Sequence, residues 1–317
     1  MKILVTGAAG FIGFSLSSFL LKNNHKVFGI DNFDEYYSLS LKKKRLKILS
    51  KSKNFNFSKI DINNKKKLKY FFKGKKIDII INLAAQAGVR HSFEKPLKYI
   101  NVNILGFLNL MEATKNNKIK KFIYASSSSV YGENNNFPLK ESENLNPKNI
   151  YAVSKKLNEK IAEMQQKFGL TSFVGLRFFT VYGEWGRPDM FMMKLFKSHM
   201  TNKTFYLNNY GNHLRDFTYI GDVVKAVGKL IKKKFKKHEI FNICSNNPVN
   251  IYDIVKNFNK RYPVKVKLTK IHKADILKTH GSNKKLNRNI SKIKYSNFFE
   301  TFYKTFEWYK KNKIYKL

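Results

Sequence analysis

The protein is 317 residues long, enough to bury a full hydrophobic core, and it is strongly basic, with 62 Lys plus Arg against 21 Asp plus Glu and a formal net charge of +41. Its single cysteine, Cys244, excludes an internal disulfide and a cysteine-based zinc site. No stretch approaches the roughly 20 apolar residues of a membrane span. We therefore expect a cytoplasmic protein without a bound metal or membrane insertion. Lysine-rich segments occur in both halves of the chain, which indicates a solvated basic surface and no nucleic acid as the main partner.

The first 32 residues predict the start of a dinucleotide-binding fold. An apolar strand at residues 2–6 runs into the turn Gly7-Ala8-Ala9-Gly10-Phe11-Ile12-Gly13, and an apolar helix follows from Phe14. Glycines at this spacing let backbone N–H groups approach a pyrophosphate, and the helix N-terminus adds its dipole. A second strand at residues 26–30 ends at Asp31-Asn32, where a carboxylate would accept the ribose hydroxyls of adenosine and repel a 2'-phosphate. These features predict NAD as the cofactor.

Strands continue to alternate with helices up to residue 178. We predict further strands at residues 55–60, 77–82, 122–126 and 171–177, and a long helix at residues 94–117. Such alternation predicts an α/β fold with a doubly wound parallel sheet of the Rossmann type, which binds ligands at the carboxyl ends of its strands. The candidate contacts at or just past these ends are Asp61, Ile62, Leu83, Ala84, Ala85, Gln86, Ser127 and Phe178.

The regular alternation fails after residue 178. Residues 182–190 form a loop rich in glycine, proline and charge, and the segments that follow are short and mixed. We therefore predict a NAD-binding domain at residues 1–178 and a smaller C-terminal substrate-binding domain at residues 179–317. Because Phe241–Cys244 resembles one more buried strand, we expect the chain to return to the first sheet near residues 214–244.

Tyr151 and Lys155 form a candidate acid-base pair. They lie four residues apart at the start of a helix, on a face opposite an apolar stripe from Leu157 to Phe168, so we expect the pair to face a cleft and not the core. One ammonium about 4 Å away, at an effective dielectric of about 20, contributes on the order of 4 kcal/mol. That nearly suffices to bring a phenol pKa from about 10 to near neutrality, and an oxidised nicotinamide would add a second positive charge.

Several longer motifs resemble those of one family. They read NLAAQAGVR at residues 82–90, ASSSSVYG at 125–132, LRFFTVYG at 176–183, WGRPDM at 185–190 and RDFTYI at 215–220. In this order they resemble the extended short-chain dehydrogenase/reductases, in their nucleotide-sugar epimerase/dehydratase branch, and within it the UDP-glucuronate 4-epimerases. The resemblance covers nearly the whole chain.

The resemblance implies a role for individual residues. The catalytic triad would be Ser127, Tyr151 and Lys155, in which Ser127 bonds the sugar 4-hydroxyl, Tyr151 takes its proton, and Lys155 holds the cofactor ribose and lowers the tyrosine pKa. The residues expected to contact NAD are Gly7, Gly10, Phe11, Ile12, Gly13, Asp31, Asn32, Asp61, Ile62, Leu83, Ala84, Ala85, Gln86, Asn103, Ser126, Tyr151, Lys155 and Phe178. The residues expected to contact a UDP-sugar are Arg90, Ser128, Ser129, Thr180, Arg187, Arg215 and Asp275.

The residues after Ser127 indicate which reaction of the branch to expect. Dehydratases and decarboxylases of the branch carry an acidic residue there, whereas this chain has Ser128 and Ser129. An elimination reaction would therefore lack the acid and base that it needs, and 4-epimerisation is favoured. The 4-keto form of a uronate is a β-keto acid that loses carbon dioxide easily. Arg187 and Thr180 are the candidates to hold its carboxylate, and the alternative for Arg187 is a salt bridge to Asp189.

The remaining substrate contacts leave alternatives open. Arg90 and Arg215 would meet the UDP phosphates and Asp275 the uridine ribose, although either arginine could form an ordinary surface ion pair. Glu184 stands where the family usually has proline and is expected to add a negative charge beside the pocket.

Two other functions compete with a UDP-glucuronate 4-epimerase. One is a 4-epimerase of neutral UDP-sugars, UDP-glucose or UDP-N-acetylglucosamine, in which Arg187 is only structural. The other is a NAD-loaded binding or regulatory protein that performs no catalysis. The resemblance also implies a homodimer, formed through the helices at residues 94–117 and 151–168.

Overall fold

The computed structural model of the protein describes residues 1–114, 117–167, 171–271 and 275–317. Its strands are β1 (Lys2–Thr6), β2 (Lys26–Asp31), β3 (Phe55–Lys59), β4 (Ile79–Asn82), β5 (Lys121–Ser127), β6 (Ser172–Phe178), β7 (Thr180–Tyr182), β8 (Phe205–Asn208), β9 (Leu214–Tyr219), β10 (Glu239–Ile243), β11 (Pro248–Asn250) and β12 (Val266–Thr269). Its α-helices are α1 (Phe11–Lys22), α2 (Leu39–Leu49), α3 (Lys65–Phe72), α4 (His91–Glu94), α5 (Pro96–Tyr99), α6 (Gly106–Thr114), α7 (Ile150–Lys167), α8 (Phe191–Met200), α9 (Ile220–Lys232), α10 (Ile251–Arg261), α11 (Lys284–Asn289) and α12 (Phe298–Lys311).

A parallel sheet of seven strands forms the centre of the described part of the chain, in the order β10-β6-β5-β4-β1-β2-β3. Parallel strands in such a sheet are covered on both faces, and β4 accordingly buries each of its residues. The predicted doubly wound Rossmann fold is therefore confirmed. The strand expected at Phe241–Cys244 is β10, which pairs with β6 at one edge of the sheet. The division into two domains stays a prediction.

Two smaller sheets lie outside the main one in the described ranges. One has the order β11-β9-β7 and the other pairs β12 with β8. A largely aromatic core fills the space between α8, α10 and α12, where the rings of Phe196, Phe258, Phe302 and Phe306 lie 5.0–5.8 Å apart. None of the helices in the described ranges is both long enough and apolar enough to cross a lipid bilayer. The cytoplasmic location stays a prediction.

The long helix predicted at residues 94–117 is present from Pro96 to Thr114, where α5, a π-helical turn and α6 follow one another without a break, but it starts at Pro96 and not at residue 94. The chain there forms α4, α5, a π-helical turn at Ile100–Leu105 and α6, and residues 115–116 lie outside the described ranges. Lys95 leaves the helical region with φ −133° and ψ 60°, and Pro96 begins α5. Proline has no N–H group and fits only the first turn of a helix, so it ends one helix and starts the next.

The apolar stripe of α7 faces the core only in part, since Ile161 packs against it and Leu157 does not. The side chains of Val153 and Leu157 are 41% and 39% exposed, whereas Lys155 is buried on the opposite side of the helix. Phe168, at the end of the predicted stripe, lies outside the described residues. Lys155 and Tyr151 thus face the sheet and the cleft at its edge, and an apolar strip of α7 faces outwards.

Candidate active site

A cleft at the carboxyl ends of the central strands collects most of the residues predicted to bind a ligand. Those lining it are Gly7, Gly10, Phe11, Ile12, Gly13, Asp31, Asn32, Asp61, Ile62, Leu83, Ala84, Ala85, Gln86, Ser126, Ser127, Tyr151, Lys155, Phe178, Thr180 and Arg187. Asn103 is not among the lining residues. Its Oδ1 accepts from the backbone N of Gln86 at 2.8 Å and its Nδ2 donates to the Gln86 carbonyl at 3.1 Å, so Asn103 supports the cleft wall from behind.

The glycine loop leaves space for a pyrophosphate. Gly7 has φ +67°, and a Cβ on Gly13 would lie 2.0 Å from the Gly7 carbonyl oxygen. Gly10 caps α1 without a side chain that could occupy the N–H groups of the first turn. These donors point to the cleft, where an anion can accept from them and the helix dipole favours it. The loop therefore fits a dinucleotide cofactor.

Two carboxylates are oriented at the adenosine end of the cleft. Asp31 accepts from the backbone N of Ala9 at 3.1 Å and from that of Phe33 at 2.8 Å, one bond on each oxygen. Each oxygen keeps a lone pair for a ribose hydroxyl. The Asn32 amide donates to Asp61 at 2.9 Å, which fixes the second carboxylate beside the first.

Tyr151 and Lys155 meet Ser127 at the end of β5. Burial raises the pKa of the Tyr151 phenol, and the Ser127 hydroxyl and the Arg187 charge oppose that rise. Burial lowers the pKa of Lys155 to about 8, and its Nζ donates to the Ala125 carbonyl at 2.9 Å. The Lys155 ammonium is directed at a carbonyl of β5, and its expected lowering of the tyrosine pKa stays a prediction.

A buried ion pair lies directly behind the triad. Arg177 donates from Nε and Nη2 to the two oxygens of Glu159, both at 2.9 Å. Ser126, the residue before Ser127, donates its hydroxyl to Glu159 at 2.5 Å. Because Glu159 and Lys155 lie one turn apart on α7, the two residues before Ser127, Ala125 and Ser126, are both tied to the helix that carries Tyr151.

The residues expected to bind the UDP-sugar fall into separate groups. Thr180 and Arg187 line the cleft, and Ser128 and Ser129 form a 3₁₀ turn just beyond β5. Arg187 also forms a salt bridge with Asp189 at 3.0 Å, so the pairing considered as its alternative exists.

Arg90, Arg215 and Asp275 form a cluster outside the residues that line this cleft. Arg90 pairs with Asp275 at 2.8 Å although 185 residues separate them, and Arg215 donates to the carbonyl oxygens of Ile276 and Leu277. The ion pair considered as the alternative for Arg90 is therefore present. The cluster brings two guanidinium groups close to the Asp275 carboxylate.

Glu184, whose negative charge was expected beside the pocket, is paired with residues outside the cleft lining. Tyr219 donates its hydroxyl to the Glu184 carboxylate at 2.8 Å, and the Lys304 ammonium lies 3.6 Å from it. Glu184 is not among the cleft-lining residues, because these two partners draw its side chain towards α12.

Comparison with known proteins gives the family. The model of the NAD dependent epimerase/dehydratase family matches residues 3–244, most of the chain. The chain belongs to this family. The resemblance inferred from the sequence motifs is thereby confirmed, and the predicted NAD is the cofactor of the family.

Individual members are similar along almost the whole length of this epimerase/dehydratase. The UDP-glucuronate 4-epimerase of Thermodesulfobacterium geofontis is 38% identical over 316 residues, covering 98% of this chain and 96% of that protein. The crystal structure of UDP-glucuronic acid 4-epimerase from Bacillus cereus with UDP-glucuronic acid and NAD has a TM-score of 0.92 and 32% identity, covering 98% of this chain and 100% of that one. A UDP-N-acetylglucosamine 4-epimerase from Methanobrevibacter ruminantium M1 has a TM-score of 0.89 and 28% identity, covering 98% of both chains.

Several lining residues of the epimerase/dehydratase cleft were missed by the sequence analysis. Lys42 lines the cleft near Asp31 and donates its ammonium to the Asp34 carbonyl at 2.6 Å, and Tyr36 and Tyr37 lie in the same wall. Lys42 belongs to a run of basic residues that reads as a solvated surface, so only its spacing from Asp31 could have singled it out.

Replacing Gly13 with alanine should remove the cofactor from this epimerase/dehydratase. The new Cβ would lie 2.0 Å from the Gly7 carbonyl oxygen, so the loop must shift away from its present path. We expect the purified variant to lose bound NAD, measured after acid release by an enzymatic cycling assay. Gly74→Asn is the control, since a Cβ there meets open space in a distant turn and asparagine tolerates the φ of +72° at this position, and it should retain NAD. Full NAD content in Gly13→Ala would contradict the role of the loop.

Proposed function

We propose that this protein is a NAD-dependent 4-epimerase that interconverts UDP-glucuronate and UDP-galacturonate. The observation that carries the proposal is the placing of Arg187 and Thr180 in the same cleft as Ser127 and Tyr151. Arg187 is near enough to the phenol for its charge to lower the Tyr151 pKa against the effect of burial. A guanidinium that can receive a carboxylate thus lies beside the acid-base tyrosine, as a uronate requires.

We assign the chemistry at the sugar to the triad. The Ser127 hydroxyl bonds the sugar 4-hydroxyl, and Tyr151 takes the proton of that hydroxyl and later returns it. Bound NAD accepts the hydride of carbon 4 and gives it back to the opposite face of the 4-keto sugar. Lys155 bonds the cofactor ribose, and its own position is fixed by the Ala125 carbonyl. Residues 1–178 and β10 hold the cofactor, and residues 179–317 supply Thr180, Arg187, Arg215 and Asp275 to the UDP-sugar.

The side chains of the cleft support epimerisation over elimination. The carboxylates among its described lining residues are Asp31, Asp34 and Asp61, which follow β2 and β3 at the adenosine end. Glu159, close behind the triad, is held by Arg177 and Ser126. The sugar end is therefore supplied with hydroxyl groups, and Asp189, the carboxylate next to it, is paired with Arg187 and is not among the described lining residues, so it is not placed to remove the carbon 5 proton.

Incubation with single UDP-sugars tests the proposal. UDP-glucuronate should give UDP-galacturonate, identified by the changed coupling of the carbon 4 proton in the NMR spectrum, with no net consumption of added NAD. If UDP-N-acetylglucosamine turned over while UDP-glucuronate stayed intact, the proposed function would be replaced by that of a 4-epimerase of neutral UDP-sugars. That second candidate is favoured by the similarity to the Methanobrevibacter enzyme and by the Arg187–Asp189 pairing.

We also propose a homodimer formed through the outward strip of α7. Val153 and Leu157 are exposed there, and the neighbouring Phe93 and Leu97 are 58% and 75% exposed. Exposed apolar side chains on adjacent helices favour contact with a second copy. The variant Leu157→Asp should therefore elute as a monomer in size-exclusion chromatography with light scattering. Ile48→Asp, on the exposed side of α2, is the control and should leave the dimer intact; a monomeric wild type would refute the assignment.

A further inference from the structure

Arg187 is held by one edge of its guanidinium group. Its Nε donates to Oδ1 of Asp189 and its Nη2 to Oδ2, both at 3.0 Å. A guanidinium carries five N–H donors, and this carboxylate occupies two of them. Among the described residues no hydrogen-bond partner of Nη1 is found, and the side chain lines the cleft beside Thr180 and Tyr151. The Nη1 end is therefore the part of Arg187 that can meet a ligand.

Tyr36 secures the carboxylate that holds Arg187. Its hydroxyl donates to Oδ2 of Asp189 at 3.2 Å, and its ring lies 5.9 Å from the guanidinium carbon of Arg187. The Tyr36 ring packs on His91 at 5.1 Å, and a Cβ on Gly88 would come within 2.5 Å of the tyrosine hydroxyl. Gly88 thus lies close to the hydroxyl, and His91 packs on the ring, so both parts of the Tyr36 side chain have neighbours that fix them.

We propose that Asp189 and Tyr36 are positioning residues that decide the fate of the uronate carboxylate. They fix the plane of the Arg187 guanidinium, so that its free end keeps the sugar carboxylate close to the plane of the 4-ketone. The inference rests on the proposed function, because the carboxylate concerned is that of UDP-glucuronate. Asp189 also balances the charge of Arg187, so the hydrogen-bond directions of the guanidinium, more than its net charge, control the bound carboxylate.

Loss of this control has a defined chemical outcome. When the carboxylate turns perpendicular to the ketone, the bond between carbon 5 and the carboxyl carbon can break. Carbon dioxide then leaves, the electron pair of that bond forms the enolate of the 4-ketone, and the enolate takes a proton at carbon 5. The product is a UDP-4-keto-pentose or, after return of the hydride, a UDP-pentose. The ratio of pentose products to UDP-galacturonate therefore reports how well the carboxylate is held.

The test compares three single substitutions in the full-length protein with UDP-glucuronate as the substrate. Asp189→Asn should raise the ratio of pentose products to UDP-galacturonate at least tenfold, measured by NMR and by release of labelled carbon dioxide. Tyr36→Phe, which removes only the hydroxyl, should raise the ratio several-fold. Glu184→Gln is the matched control, because that carboxylate lies three residues before Arg187 in the same loop and bonds Tyr219 and Lys304 instead. Its ratio should equal that of the wild type.

A purely structural role would lower the rate without moving this ratio. If the wild type makes UDP-galacturonate and both Asp189→Asn and Tyr36→Phe keep its product ratio, the inference is overturned and the proposed function stands. If Asp189→Asn does not fold, shown by circular dichroism and by lost NAD, Tyr36→Phe alone decides. If the wild type leaves UDP-glucuronate unchanged, the proposed function fails first and the inference falls with it.

Discussion

Replacing Tyr151 with phenylalanine should lower kcat for UDP-glucuronate by roughly 10²–10⁴-fold, the usual contribution of a positioned acid-base group. The phenol is buried beside Ser127, and its aromatic ring packs edge-on against Tyr99 at 6.2 Å, so the variant keeps the ring contacts and loses only the hydroxyl. Initial rates from NMR product analysis give the effect, and the bound NAD content should stay at the wild-type level.

A second buried tyrosine, Tyr182, provides a control that distinguishes the loss of acid-base catalysis from the effect of removing any buried tyrosine hydroxyl. Tyr182 bonds Thr301 through its hydroxyl at 2.5 Å and does not line the cofactor cleft. Tyr182→Phe should therefore keep a rate within a few-fold of the wild type. A Tyr151→Phe enzyme that turned over at full speed would refute the assignment of Tyr151 as the acid-base group.

Replacing Glu159 with leucine should destabilise the protein by about 3–5 kcal/mol, because the change leaves the buried Arg177 guanidinium without its counter-ion. The Arg177 and Glu159 side chains are only 3% and 6% exposed, so water cannot take over the lost bonds. A lower urea midpoint in equilibrium unfolding measures the effect. Because Ser126 loses its acceptor as well, we also expect a lower kcat.

The double variant Glu159→Leu with Arg177→Met tests whether the cost comes from the unpaired charge. An apolar pair of similar volume removes the buried guanidinium together with its partner. The urea midpoint of the double variant should therefore return most of the way from that of Glu159→Leu to that of the wild type. A double variant as unstable as Glu159→Leu alone would show that the bonds of Arg177 to Tyr131 and to the Glu141 carbonyl matter more than the ion pair.

The sequence predicts those parts of the fold that local patterns determine. The short apolar run Ile79–Ile81 predicts a buried strand, and Gly7, with φ +67°, needs a backbone conformation that few other residues adopt. The start of the helix that ends at Thr114 was placed two residues early because the effect of Pro96, which fits the first turn of a helix, was not used. The exposure of Leu157 on α7 was not predictable, because amphipathicity does not reveal whether a partner subunit or the core covers an apolar face.

The candidate site was predictable only where its residues are close together in the chain. Ser127 and the Tyr151–Lys155 pair belong to motifs that can be read directly, whereas the Arg90–Asp275 pair joins residues far apart in the chain. The contact of Tyr36 with Asp189 spans 153 residues and depends on how the loop after β2 meets the loop after β7. Glu184 shows the reverse case, because a charge next to the motif in sequence is drawn away by Tyr219 in space.

The position of β10 has a consequence for synthesis on the ribosome. Strands β1 to β6 leave the exit tunnel first, but the free edge of β6 stays open until residues 239–243 arrive. Helix α9, which covers α1 on one face of the sheet, is also made late. At elongation rates of about 5–20 residues per second, the nascent chain exposes that edge for several seconds. A truncated product ending near residue 178 should therefore aggregate instead of accumulating as a folded fragment.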